Sequence, residues 1–401
     1  MSAFQYPPVT VKNRTVVSDK MELGKSSESV STEGRRATSF KVRVSENLND
    51  FADLWPSTDR SGTIHGYALQ CSDILQVWCD TIGKATGIDP VFVAVLDKMN
   101  HPILLLPFCI ARSRGMRVLR FLDGGICDYN APILFQPIRT WDRGSVKELW
   151  RELVRALPRF DIAMLDKMPA EIYGVPNPFI GLDVEPYRSS GHLRHITGTW
   201  EEYATDKLPY KRESVAQRRR LAKLGQLNFI VAESSTDRKR ILESMMRQKA
   251  QRYIETRGKN PIKQEIEQFY IAMAERFTWP GPSLVAALEL NGTTLATNWG
   301  LVFNNRFLGL VSSFEGGDWR RYSPGKLLLE DLLKWAFNNG IKVFDFGIGD
   351  EGYKLGYSDQ SILVYQADIP VTLIGKAYVA ARLLKRAVSR KIKRQKSLER
   401  H

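Results

Sequence analysis

The chain has 401 residues, 43% hydrophobic and 25% charged, which are globular values at a length that suits two cores. Its longest apolar run, Ile103 to Ala111, contains Pro107 and falls well short of the roughly 20 residues of a bilayer-crossing helix. The net charge is +14, but +9 of it lies between Lys376 and His401, so the basicity says little about the domains.

Met1 to Thr38 is rich in Ser, Thr, Lys and Glu, has no apolar periodicity, and predicts a disordered arm without a secretory signal. Ser39 to Leu48 alternates as a strand, and Asp73 can cap a helix through Leu75, Val77, Trp78 and Ile82. Val91–Leu96 and Ile103–Ala111 predict strands joined by a turn at Asn100, and Val118–Leu122 predicts another. Val146–Ala156 reads as an amphipathic helix and Ile162–Leu165 as a buried strand. Cys71, Cys79, Cys109 and Cys127 are widely spaced, with neither a zinc pattern nor a disulfide framework, which fits a reducing cytoplasm.

The same order then repeats. Lys211–Leu224 is a basic helix stopped by Gly225, Leu227–Glu233 a strand, and Arg238–Glu255 and Ile262–Phe277 are helices. Leu284–Leu290 and Thr293–Val302 predict a hairpin across Asn291-Gly292, followed by a strand at Arg306–Ser313. A helix over Pro324–Asn339 and a strand over Ile341–Phe346 complete the second half. The expected division is an arm at 1–38, domains at 39–195 and 196–375, and a basic tail at 376–401.

Ser323 suits an N-cap and Pro324 the first helical position. A helix start favours acidic residues, yet the first turn holds Lys326, with Arg320 and Arg321 just upstream. Gly325 lets a ligand approach the backbone. Free N–H groups among three cations describe an anion site over Arg320, Arg321, Ser323, Gly325, Lys326 and Leu327. On the strand that follows, Asp345 shares a face with Ile341 and Val343, and so is either buried and hydrogen-bonded or set in a pocket. The loop after it supplies Tyr353 and Lys354. These groups suit acyl transfer: Asp345 as base or acceptor-orienting group, Tyr353 as acid toward a leaving thiolate, Lys354 to hold an anionic substrate, and Glu315 as the alternative base. Asp128 is a loop residue that can face the same cleft.

Tyr322-Ser323-Pro324-Gly325-Lys326-Leu327-Leu328, Gly340, Phe344-Asp345-Phe346-Gly347, Gly349-Asp350 and Tyr353-Lys354 together resemble the GNAT-type acetyltransferases of the CelD/BcsL group, associated with bacterial cellulose and exopolysaccharide synthesis. The resemblance spans roughly Ser39 to Leu373. It implies an α/β fold of two tandem GNAT-like domains, each a mixed, mostly antiparallel sheet flanked by helices. It also implies acetyl-CoA as acyl donor, with its pyrophosphate on the helix start at Ser323–Leu327; no metal is expected, because His65, His101, His192, His195 and His401 show no ligand spacing. The family's loop is Arg/Gln-x-x-Gly-x-Gly/Ala, whereas this chain has Pro324 in it, which removes one backbone donor. The N-terminal half has only Ala111-Arg112-Ser113-Arg114-Gly115 as a comparable loop, so that half is expected to be structural or substrate-binding.

The expected reaction is acylation of an amine or sugar of a polysaccharide precursor. A Fem-type transferase using aminoacyl-tRNA is the alternative, with Arg218, Arg219 and Arg220 on RNA phosphates, and nucleic acid enters only in that case. A non-catalytic binding protein is the third reading. The tail carries a modest apolar stripe among its cations; it either lies on an anionic membrane surface, making a cytoplasmic enzyme peripheral to the inner membrane, or packs on the C-terminal domain.

Overall fold

A computed structural model of the chain covers residues 40–59, 64–136, 138–258 and 262–398, with side chains placed as far as Arg386. The arm expected over 1–38 lies outside the described residues. The first half runs β1 (Lys41–Ser45), β2 (Ile64–His65), α1 (Ser72–Trp78), α2 (Lys84–Thr86), β3 (Asp89–Leu96), β4 (Pro102–Ser113), β5 (Met116–Phe121), β6 (Ile133–Phe135), α3 (Arg143–Ala156) and β7 (Ile162–Pro169). Apolar runs in β3 and β4 are buried almost end to end, because elements cover both faces of this sheet. Asp142 caps α3 by accepting from Ser145 N, and Val146, Leu149 and Leu153 turn inward at helical spacing. Asp73 is not the cap of α1. Cys71 takes that place, and Asp73 accepts from Thr58 N–H at 3.2 Å, tying down the preceding loop.

After the short strands β8 (Glu171–Ile172), β9 (Val175–Pro176) and β10 (Glu185–Pro186) come β11 (Gly191–His195), α4 (Trp200–Asp206), α5 (Lys211–Ala222) and β12 (Leu227–Val231). Helices α6 (Ser235–Arg257) and α7 (Gln264–Arg276) precede the meander β13 (Ser283–Leu290), β14 (Thr293–Phe303) and β15 (Arg306–Phe314). The turn between β13 and β14 places Asn291 and Gly292 at positive φ, as a tight hairpin requires. The chain ends with α8 (Pro324–Asn338), β16 (Val343–Ile348), α9 (Gly352–Tyr357), β17 (Gln360–Ile362), β18 (Val364–Pro370) and α10 (Leu373–Leu398).

Two large sheets result, with main paths β1-β3-β4-β5-β7-β18-β10 and β12-β13-β14-β15-β16-β11-β17; β2 and β6 branch from β4 of the first, and β8–β9 form a separate two-stranded ribbon. Each is an antiparallel meander closed by one parallel pair, β5–β7 in the first and β15–β16 in the second. They exchange strands: β18, late in the chain, pairs with β7, and β11, from before residue 196, pairs with β16. Contacts join the described residues into one unit. On the second sheet, Leu327, Leu328, Leu332 and Leu333 of α8 are buried, each stabilising by roughly 1.5–3 kcal/mol, which fixes the helix and the start it presents.

The basic helix α5 clamps α8. Arg218 pairs bidentately with Asp331 at 2.9 and 3.1 Å and donates to Leu327 O, while Ser214 and Tyr357 both donate to buried Glu330. The tail helix α10 packs Tyr378 and Val379 on Met116, Val118 and Ile162 of the first sheet, and Arg386 pairs with Glu185 at 2.8 Å. Packing of the tail on the C-terminal domain is therefore corrected to packing on the first sheet, whose penultimate strand β18 leads directly into α10.

Candidate active site

The parallel pairing of β15 with β16 lasts three residues, Arg306↔Val343, Phe307↔Phe344 and Leu308↔Asp345. Beyond it the strands diverge, β15 running on to Phe314 and β16 to Ile348. A slipped register opposite Trp299 and Gly300 of β14 helps turn β15 away. The gap opens a cavity of about 640 Å³, lined by Gly309, Leu310 and Ser312 of β15, Phe346 and Ile348 of β16, and the start of α8. In the first half, the equivalent gap past Leu119 and Ala163 is bridged instead. Lys167 of β7 donates to Asp123 at 2.5 Å and to Cys127 O at 2.6 Å. The Arg114-Gly115 segment there is only the β4–β5 turn.

At the start of α8, Arg320, Ser323, Gly325 and Lys326 line the cavity; Arg321 and Leu327 are not among its lining residues. Ser323 occupies the N-cap position in the left-handed region, φ 52° and ψ 47°, and its side chain makes no capping hydrogen bond. That conformation is uncommon for a non-glycine residue and marks a local constraint. Lys326 and Leu327 N–H bond to Ser323 O, and Pro324 has no N–H, so Gly325 N–H is the donor left open among the described residues. Arg321 is exposed over the Tyr322 ring, and Leu327 is core.

The cations are not unopposed, as sequence proximity suggested. Glu255 of α6 pairs with Arg320 at 2.7 Å, and Glu213 of α5 pairs with Lys326 at 2.9 Å. Such partly exposed pairs hold by about 0–1 kcal/mol, little enough for a phosphate to displace a carboxylate.

Of the expected catalytic residues, Tyr353 and Lys354 line the cavity and Asp345 and Glu315 do not. Asp345 is 0% exposed. It pairs with Arg306 and accepts from Tyr129 Oη at 3.0 Å and Gly347 N–H at 2.8 Å. Arg306 in turn lies over the rings of Tyr67, Tyr129 and Tyr173. The base role is corrected on this ground: both oxygens are spent on a seam between the halves. Glu315 is likewise held by Arg247 and by Gln248 at 3.2 Å. Lys354 donates to Ile348 O at 2.9 Å and pairs with Glu351 at 3.1 Å, pinning the α9 turn.

The first half reaches into the cavity with Asp128, on the loop between β5 and β6, and α6 contributes Lys249. Burial, and then the Asp345 charge, push the Asp128 carboxyl up to about 7 against the pull of Lys354 and Lys167. Burial lowers the Lys249 ammonium. The Tyr353 phenol is raised by burial and by Glu351 and Asp128, so it keeps its proton at neutral pH. Asn298 of β14 donates to Ser312 Oγ at 2.8 Å, while its own Oδ1, buried at 5% exposure, has no partner among the described residues. Neither Lys249 nor Asn298 stands out in the sequence. The one signal for Asn298 is an amide between Thr297 and Trp299 in a buried strand.

Residues 210–355 match a family model described as acetyltransferase (GNAT) domain. That stretch contains α5, the β15–β16 gap, the α8 start and most of α9. No curated protein matches the chain significantly in sequence. Among solved structures, a conserved protein of unknown function from Bacteroides thetaiotaomicron VPI-5482 superposes with a TM-score of 0.52 at 12% identity, covering 82% of this chain and 100% of its own. FemX superposes with a TM-score of 0.51 at 10% identity, covering 81% of this chain and 96% of its own. At such identity the likeness is one of fold. The chain is a mixed α/β protein of two halves alike in sheet topology, and residues 210–355 of its second half are similar to an acetyltransferase (GNAT) domain.

Proposed function

We propose that the chain is an acyl-CoA-dependent acyltransferase with acetyl-CoA as donor and an amine or sugar of a polysaccharide precursor as acceptor. One observation carries this reading: β15 and β16 part beside an uncapped helix start, within the stretch that matches the GNAT model. The donor's chemistry fits. Its pyrophosphate suits the open Gly325 N–H with Lys326 and Arg320 alongside. Its amide-bearing arm suits the unpaired strand edges past Leu308, as an added strand would, and Asn298 Oδ1 is an acceptor waiting for an N–H.

Tyr353, 42% exposed at the cavity, is the acid toward the leaving thiolate, and Lys354 orders the loop that carries it. The 39–195 half supplies the acceptor side of the cavity, and the 196–375 half the donor side. The tail at 376–401 adds cations and exposed Leu383 and Leu384, suited to an anionic membrane surface where polysaccharide precursors are assembled.

Thermal and denaturant unfolding with acetyl-CoA test the donor. At 100 times its Kd the folded state gains about 2.7 kcal/mol. No stabilisation at millimolar acetyl-CoA would refute the reading. Stabilisation by an aminoacyl-tRNA in its place would point to Fem-type chemistry.

A further inference from the structure

We infer that Asp128, delivered by the N-terminal half, is the catalytic base that takes the proton of the attacking acceptor. This rests on the acyltransferase reading and goes beyond it by completing the active site with a residue outside the matched stretch.

Two carboxylates line the cavity, Asp128 and Glu351. Glu351 is exposed and ion-paired with Lys354, so it is solvated and already engaged. Asp345 and Glu315 are spent on Arg306 and Arg247. Asp128 alone combines a place on the cavity wall with a carboxylate that has no ion pair at contact distance among the described residues.

Its position is set from both sides. Gly347 sits at φ +72°, and a Cβ there would run into Asp128 Oδ2, so the backbone of β16 is bare where the carboxylate rests. Gly347 N–H meanwhile bonds Asp345, leaving two carboxylates flanking one glycine. The charged and titratable groups facing Asp128 are Asp345 on β16, Lys354 and Tyr353 on α9, Lys167 on β7, Lys249 on α6, Tyr270 on α7, and Cys127 and Tyr129 beside it. Burial and the fixed Asp345 charge raise its proton affinity, and the lysines limit the rise, which leaves a base balanced near neutrality. Asp345 thus acts through Asp128, as a positioning residue.

In the transfer, the acceptor's lone pair forms the new bond to the thioester carbonyl carbon. The C–S bond breaks with its electron pair on sulfur. The proton of the acceptor N–H or O–H passes to Asp128, and the thiolate takes the Tyr353 hydroxyl proton. Solvent then relays a proton from Asp128 back to Tyr353, and the balance closes.

The test uses the full chain and acetyl-CoA, with water as the acceptor and CoA thiol release as the readout. Asp128→Asn should lower turnover by about 10²- to 10⁴-fold with acetyl-CoA affinity unchanged. Wild-type turnover should rise about tenfold per pH unit below about 7 and level above it. Gly347→Ala, which displaces the carboxylate without removing it, should lower turnover in the same direction. Equal turnover in wild type and Asp128→Asn, both binding acetyl-CoA, overturns the inference and leaves the donor reading standing. Absence of acetyl-CoA binding by the wild type overturns the donor reading and this inference with it.

Discussion

Replacing Asp128 by Asn should stabilise the protein, by an amount that depends on pH. The carboxyl is raised from 3.8 to about 7 in the folded state, so folding favours its protonated form. A raised acid contributes no penalty below its unfolded value, where it is protonated in both states. As pH climbs from about 4 to about 7, the unfolded chain releases the proton and the folded one does not, so stability falls. At 1.36 kcal/mol for each unit, the loss reaches about 4 kcal/mol at pH 8, a ceiling because cavity water screens it. Asparagine is nearly isosteric and does not titrate. Urea unfolding of both proteins at pH 5, 6, 7 and 8 should show an advantage for Asp128→Asn that grows to pH 7 and then levels. A difference independent of pH, or one that shrinks as pH rises, would refute the placement of Asp128 in a buried, negatively biased site.

Gly325→Asp should lose acetyl-CoA binding by calorimetry, because it sets a negative charge at the open N–H and crowds Phe314, 3.0 Å from a Cβ there; unchanged affinity argues against the phosphate site. Asn298→Leu removes an unsatisfied acceptor, so the free protein should be as stable or more so while acetyl-CoA affinity drops about tenfold, roughly one hydrogen bond; equal affinity would show that Oδ1 meets no donor. Asp345→Asn should cost about 3–5 kcal/mol in urea unfolding by leaving Arg306 buried without its counter-charge, and a fully stable variant would contradict the seam role. Truncation after Ile374 should abolish sedimentation with anionic vesicles at low salt and keep acetyl-CoA binding; sedimentation of the truncated chain would remove the tail from that role.

The longer elements were legible, helices from their period, as α3 with Val146, Leu149 and Leu153, and buried strands such as β3 from their apolar runs, whereas α4 and α9 carry too short a pattern to read. The short strands β11 and β18 were not, since their place depends on pairing across the two halves. The helix start at Ser323 was readable from Ser-Pro-Gly, but its opposing carboxylates Glu213 and Glu255 lie on other helices that no local pattern connects to it. Asp345 showed itself as an acid on an apolar face, a signature equally satisfied by a pocket and by a buried pair. Arg306, thirty-nine positions earlier, decided between them. Asp128 could be noticed only as a loop acid that can face the cleft. Its setting beside Gly347 and Lys249 is a tertiary fact.

The central claim is that the gap between β15 and β16 holds the acyl donor, and amide hydrogen exchange with and without saturating acetyl-CoA tests it most directly. The account predicts slowed exchange at Gly309 to Phe314, at Phe346 to Ile348 and at Gly325, with the bridged β5–β7 region unchanged. Acetyl-CoA that binds yet leaves these amides unprotected, or protects β5 and β7 instead, would contradict it.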